Sequence, residues 1–245
     1  MDQQHPLLRT AVITGGGSGI GLGIARELLR NGSRVVLCGR NEGRLLAAVE
    51  SLAASPDQLR AVVADVSVED AVDRLFAVAD EHFGPVTTLV NNAGNFDGGP
   101  VQELSLQAWD NVIGACLTGA FLCTRAAFRR MQTNGGGRIL NIGSISAQRP
   151  RMHSAAYTSA KFGVQGLTHA TALEGRELGI SVSCLHPGNV LVERRENSEL
   201  DSDAEPMMPV SAIVSAAMAM LQMPADVNFL DAVVLPRDQA YVGRG

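Results

Sequence analysis

Short runs of apolar and β-branched residues alternate along the chain with longer stretches in which apolar positions recur every three to four residues. The runs Thr10–Thr14, Ser33–Cys38, Leu59–Ala64, Thr87–Asn91, Gly137–Ile142, Ile180–His186 and Leu230–Leu235 predict strands. The stretches Ile20–Asn31, Glu42–Ala54, Val68–His82, Leu106–Thr133, Ala155–Leu178 and Val210–Met223 predict helices. The strand runs are continuously apolar instead of alternating, the pattern of strands covered on both faces. Strand–helix alternation of this kind gives a parallel sheet joined by right-handed crossovers. The expected fold class is therefore α/β, a doubly wound parallel sheet with helices on both faces. Val190–Glu205 is rich in charge and poor in large apolar residues, but strand and helix patterns flank it. It reads as a mobile loop, and residues 1–245 as a single domain.

Composition narrows the partners. With 245 residues, 46% of them hydrophobic, the chain can bury a substantial core. A net charge of −5 and no extended basic cluster argue against nucleic acid. Met1–Arg9 has no secretory pattern and no apolar run stands out as long enough to span a membrane, so a cytoplasmic protein is expected. Cys38, Cys116, Cys123 and Cys184 are scattered without metal-ligand spacing and read as reduced, buried thiols, with no metal site. His169 and His186 lie in apolar segments and read as structural.

Lysine occurs once, at Lys161, against nineteen arginines, so it marks a place where a guanidinium does not serve. Tyr157 lies four residues earlier, on the same face of a predicted helix. A phenol beside a fixed ammonium is equipped for proton transfer. Ser144 closes the fifth strand thirteen residues before Tyr157, and its hydroxyl could steady a substrate carbonyl.

The first strand runs into Thr14-Gly15-Gly16-Gly17-Ser18-Gly19-Ile20-Gly21 and then a helix. Glycines there let the backbone turn tightly and approach a pyrophosphate, whose charge meets the helix N-terminus. The second strand ends at Arg40 with no acidic residue at its tip, which favours the 2′-phosphate of NADP(H) over NAD(H). Asp65 and Val66, after the third strand, are placed to reach an adenine edge, although Asp65 is equally suited to cap the next helix. The fourth strand ends in Asn91-Asn92-Ala93-Gly94, small residues that let a ligand approach the backbone.

Together, TGGGSGIG, NNAG, Ser144 and the Tyr157-Thr158-Ser159-Ala160-Lys161 segment resemble the short-chain dehydrogenase/reductase family over about residues 9–190 and the closing helix and strand. The resemblance implies one Rossmann-type domain with seven parallel strands, hydride transfer between a nicotinamide and a ketone or secondary alcohol, and a homodimer or homotetramer built through the fourth and fifth helices. It implies Tyr157 as acid or base, with Lys161 favouring its phenolate and binding the nicotinamide ribose, and Ser144 orienting the carbonyl. Cofactor contacts would be Gly15, Ser18, Gly19, Ile20, Gly21, Arg40, Asp65, Val66, Asn92, Ala93 and Gly94, with Tyr157 and Lys161. Pro187, Gly188 and Val190 would form the turn beside the nicotinamide amide.

Three positions depart from the family pattern. Cys116 stands where an Asn usually supports a water relay to the lysine, Thr87 replaces a common Asp, and Val192 replaces a Thr that holds the cofactor amide. The alternative these departures raise is a nucleotide-binding sensor or scaffold with impaired turnover. Substrate choice would rest on a segment at about 189–208, whose charges read as a solvated lid. A sharper expectation is that Arg149, Arg151 and Arg194 meet an anionic substrate, such as a carrier-linked or carboxylate-bearing ketone.

Overall fold

The computed structural model describes residues 10–193 and 205–241. Its sheet is built from β1 (Thr10–Thr14), β2 (Arg34–Gly39), β3 (Leu59–Val63), β4 (Thr88–Asn91), β5 (Gly137–Ile142), β6 (Ile180–Pro187) and, after two short strands, β9 (Asp231–Val234). The order is β3-β2-β1-β4-β5-β6-β9 and every pairing is parallel. The chain order reverses between β1 and β4, the switch point at which doubly wound sheets open a crevice for ligands.

Successive residues of the central strands serve opposite cores, which explains their unbroken apolar sequence. Ala11 and Ile13 of β1, with Val35 and Leu37 of β2, pack on one face against α1 (Gly19–Arg30), α2 (Glu42–Leu52) and α7 (Val210–Leu221). Val12, Val36 and Cys38 pack on the other against α3 (Glu69–Phe83) and α5 (Gly119–Met131). Each large apolar side chain so buried is worth about 1.5–3 kcal/mol. Arg138 is an exception on buried β5: its guanidinium donates to the carbonyls of Met223 (2.6 Å), Pro224 (2.5 Å) and Val227 (3.3 Å), pinning the connection between α7 and β9.

The strands and helices fall within one or two residues of their sequence-based bounds, with two differences. The stretch Ala155–Leu178 is α6 (Ala155–Glu174) followed by a 3₁₀ turn, Arg176–Leu178. The stretch 106–133 is α4 (Leu106–Ile113), a π-helical turn over Gly114–Thr118, and α5. By length and composition Leu106–Met131 could cross a membrane, contrary to expectation, but 56% of its most apolar 18-residue window is buried inside the fold, as in a core helix. A two-residue pair, β7 (Val190–Leu191) with β8 (Met208–Pro209), joins the two sides of the charged segment. Residues 194–204, including Arg194, lie outside the described residues.

Candidate active site

The glycine-rich turn and the NNAG segment meet at the carboxyl ends of β1 and β4 and are bolted together. Thr14 Oγ1 accepts from the N–H groups of Asn92 and Ala93, both at 3.0 Å. The Asn92 amide donates to the carbonyls of Thr14 (3.1 Å) and Gly15 (2.9 Å). Both hydrogens of the Asn92 side-chain amide are thereby engaged by the turn itself. Gly15 has φ +62°, and a Cβ there would stand 2.9 Å from Ala93 Cα. A Cβ on Gly21 would meet the Gly15 carbonyl oxygen and the Asn92 amide at 2.6 Å. Only glycine permits this approach. Ser18 precedes α1 without a side-chain cap, and the first turn, with Gly19, Ile20 and Gly21, carries no acidic residue. The positive end of the helix thus suits an anion, as a pyrophosphate requires.

Arg40 follows β2 with its side chain 58% exposed, and Nη1 lies 3.9 Å from Asp65 Oδ2. Asp65 accepts from the Ser67 N–H (2.9 Å) and hydroxyl (2.7 Å). The residue that caps α3 is Val68, so the capping alternative for Asp65 is not realised. Partial burial opposes the Asp65 charge, but the Ser67 bonds and the Arg40 guanidinium outweigh it and hold the carboxyl below its usual range. The Val66 side chain is buried against Gly119.

On the other side of the crevice α6 carries both candidate proton-transfer residues. Lys161 is 5% exposed, donates to the Ile142 carbonyl at 2.7 Å, and lies 5.5 Å from the centre of the Tyr157 ring. Burial works against its charge; the Tyr157 phenol and the Cys116 and Cys184 thiols facing it offset this, and the ammonium is held above the usual lysine range. Phe96 packs edge-on against Tyr157 at 5.3 Å. Ser144 extends β5 and starts a 3₁₀ turn, its Oγ accepting from the Ser146 N–H at 3.1 Å. With that acceptor site filled, the hydroxyl hydrogen is free to point to a substrate oxygen.

Cys116 sits in the π-helical turn. Its Sγ lies 3.4 Å from both the N–H and the carbonyl of Asn95, accepting from one and donating to the other. A thiol therefore supplies both the donor and the acceptor of an amide here. Thr87 likewise bonds to the backbone of Thr10, tying β4 to β1. Val192 covers Gly19, its Cγ1 3.2 Å from where a Cβ would stand.

After β6, the Gly188 N–H donates to the Val234 carbonyl and the Asn189 N–H to Gln239, while Val190 pairs with Met208. Pro187, Gly188 and Val190 are thereby fixed to the end of β9 and to β8. Arg151 donates to Asn189 (2.8 Å) and to Glu205 (3.1 Å), which also accepts from Asn189 (2.8 Å). The guanidinium ties the start of the charged segment to its end. The sequence offered no sign of this, because the partners lie 38 and 54 positions away. An open cleft of about 530 Å³ lies between Gly99–Gln102 and Pro150–Ala155, with Thr158 on its floor.

The family model for short chain dehydrogenases matches residues 9–203. The 3-oxoacyl-[acyl-carrier-protein] reductase MabA of Mycobacterium avium is 34% identical over 224 residues, covering 91% of this chain and 82% of the relative. Among solved structures, a variant of actinorhodin polyketide ketoreductase with NADPH superposes with a TM-score of 0.84 at 32% identity, covering 93% of this chain and 95% of the other. A short-chain type dehydrogenase/reductase from Mycobacterium ulcerans gives 0.84 at 28% identity, over 93% and 88%.

Proposed function

The chain belongs to the short-chain dehydrogenase family and is an oxidoreductase acting between C=O and CH–OH with a nicotinamide cofactor, and we propose that it reduces a 3-oxoacyl-type or similar ketone with NADPH. One observation carries the reading: Lys161, the only lysine, is buried beside the Tyr157 ring and anchored to the Ile142 carbonyl, next to a serine whose hydroxyl hydrogen is free. Gly15, Ser18, Gly19, Ile20, Gly21, Ala93, Gly94, Pro187, Gly188 and Val190 would hold a nicotinamide cofactor along the β1–β4 crevice, and the chemistry it would supply there is hydride transfer. Ser144 Oγ–H and the Tyr157 phenol hold the substrate oxygen between them. As negative charge gathers on that oxygen, Tyr157 gives it a proton, and the ammonium of Lys161 stabilises the phenolate left behind. Phe96 shields one side of the phenol from water.

Arg40 supports NADPH, because its exposed guanidinium stands at the tip of β2 with a carboxylate no nearer than 3.9 Å. The relatives named for 3-oxoacyl and polyketide substrates support the ketone class. Four buried, free thiols support a reducing, cytoplasmic setting. Phe121 on α5 and Phe162 on α6 are 44% and 48% exposed, which supports self-association through those helices as a homodimer or homotetramer. The whole length serves as one domain.

The test is NADPH oxidation by the purified protein over a panel of 3-oxoacyl thioesters and cyclic ketones, beside Tyr157→Phe. Turnover that falls by about 10²–10⁴ in the variant while NADPH still binds is expected. NADPH binding without Tyr157-dependent turnover on any ketone would favour a sensor or scaffold instead.

A further inference from the structure

The catalytic elements are tied together behind the site by a second chain of polar groups. His186, on β6, is completely buried. Its Nδ1 lies 3.0 Å from the Ser144 carbonyl oxygen. A carbonyl can only accept, so Nδ1 carries the hydrogen and donates it. The other ring nitrogen, Nε2, faces Asp231 Oδ1 at 3.4 Å; a carboxylate likewise only accepts, so this bond requires Nε2 to carry a hydrogen as well, the ring then being an imidazolium paired with Asp231. Asp231, the first residue of β9, is held through Oδ2 by His169 Nε2 at 2.6 Å, the length of a charge-assisted bond. His169 lies on α6, the helix of Tyr157 and Lys161, eight residues after Lys161. The path therefore runs from the helix of Tyr157 and Lys161, through β9 and β6, to the backbone of Ser144.

The local packing is built around this ring. A Cβ on Gly143 would come within 2.6 Å of His186 Nδ1 and 2.9 Å of Cys184 Sγ, so the residue before Ser144 is flush against the imidazole. Cys184, His186 and Asp231 offer ligand atoms within 4.8 Å of one another. Burial pushes the Cys184 thiol up to about 12, and Asp231 is already engaged by His169, so the cluster is a hydrogen-bonded unit.

We infer that His186 is a positioning residue for ketone reduction: its Nδ1–H fixes the Ser144 carbonyl, and Asp231, clamped by His169, fixes the ring. The inference rests on the reading of Ser144 as the group that orients the substrate oxygen. Lys161 holds the Ile142 carbonyl from α6, and His186 holds the Ser144 carbonyl from β6. Two residues apart on one segment, these anchors set the position from which Ser144 Oγ reaches the substrate.

The test compares His186→Phe, which fills the space without a donor, with His186→Asn, whose side-chain amide can stand near Nδ1, and with Ser144→Ala. The expected result is NADPH binding unchanged in all three, a fall in kcat of about tenfold in His186→Phe with KM little moved, and recovery of most of it in His186→Asn. Wild-type kcat in His186→Phe beside a slow Ser144→Ala would overturn the inference alone, as would equal losses in the Phe and Asn variants. Undiminished kcat in Ser144→Ala would bring down the reading of Ser144 and the inference with it. Should His186→Phe fail to fold, His169→Phe, a change at a half-exposed site, is expected to lower kcat two- to threefold with NADPH binding kept; wild-type kcat there would overturn the clamp.

Discussion

The two sides of the crevice are held in shape by different means. At the β1–β4 junction glycines bring backbone against backbone, with Thr14 and Asn92 bolting the two turns together. At the β5–β6 end, long side chains reach across elements to hold carbonyls: Lys161 to Ile142 and His186 to Ser144. The first arrangement tolerates no added atom and the second no lost donor. A region that must present bare N–H groups to an anion is served by removing side chains, whereas one that must place a hydroxyl, a phenol and an ammonium needs side chains to brace them.

The contrast is sharpest at Lys161. Lys161→Arg keeps the charge but puts a planar, larger group in a fully buried site, and turnover is expected to fall on the order of 10³ while NADPH still binds. Near-normal kcat would show that charge alone suffices there. Arg138→Met removes three hydrogen bonds between buried β5 and the connection before β9 and is expected to cost about 3 kcal/mol, read as a lower Tm in thermal unfolding. Gly21→Ala, a single methyl on the other side, is expected to cost about 2 kcal/mol, felt as weaker NADPH binding in a fluorescence titration. Tight binding by that variant would break the account of the nucleotide half. Arg40→Asp is expected to raise KM for NADPH about tenfold with little change for NADH; unchanged KM for both would refute the cofactor assignment.

The smallest effect spans both halves. Burial raises the thiols of Cys38 and Cys184 from 9.0 to about 12, and raises Cys123 further. Unfolded thiols lose their protons near 9, so the stability these groups contribute is complete below that value and drains away as pH rises toward 12. Tm is expected to decline between pH 8 and 10, and to decline less in Cys38→Ala or Cys184→Ala relative to their own values at pH 7.

The strands, the helices and the glycine turn were legible because each follows from neighbours in sequence: continuous apolar runs, a helical period, a Gly cluster between strand and helix. Tyr157 and Lys161 were legible for the same reason, as one helical face. What escaped is what side chains do at a distance. The π-helical turn coincides with the bonds between Cys116 and Asn95, 21 residues apart. The Asn92 amide turned inward, Arg151 closed on Glu205, and two histidines read separately as structural share Asp231, which no local pattern marks. The Cys116 departure reads differently once its sulfur is seen to bond in both directions.

The solitary lysine has a consequence for reagents. Every other cationic side chain that stays charged at neutral pH is an arginine, so besides the α-amino group the protein offers one primary amine, and that amine is buried beside Tyr157. Acylating or reductively alkylating chemistry that decorates the surface of ordinary proteins has almost nothing to attack on this one. An amine-directed reagent delivered into the cleft by a ketone-shaped carrier would find a single lysine, and a shift of one adduct mass would report its occupancy directly.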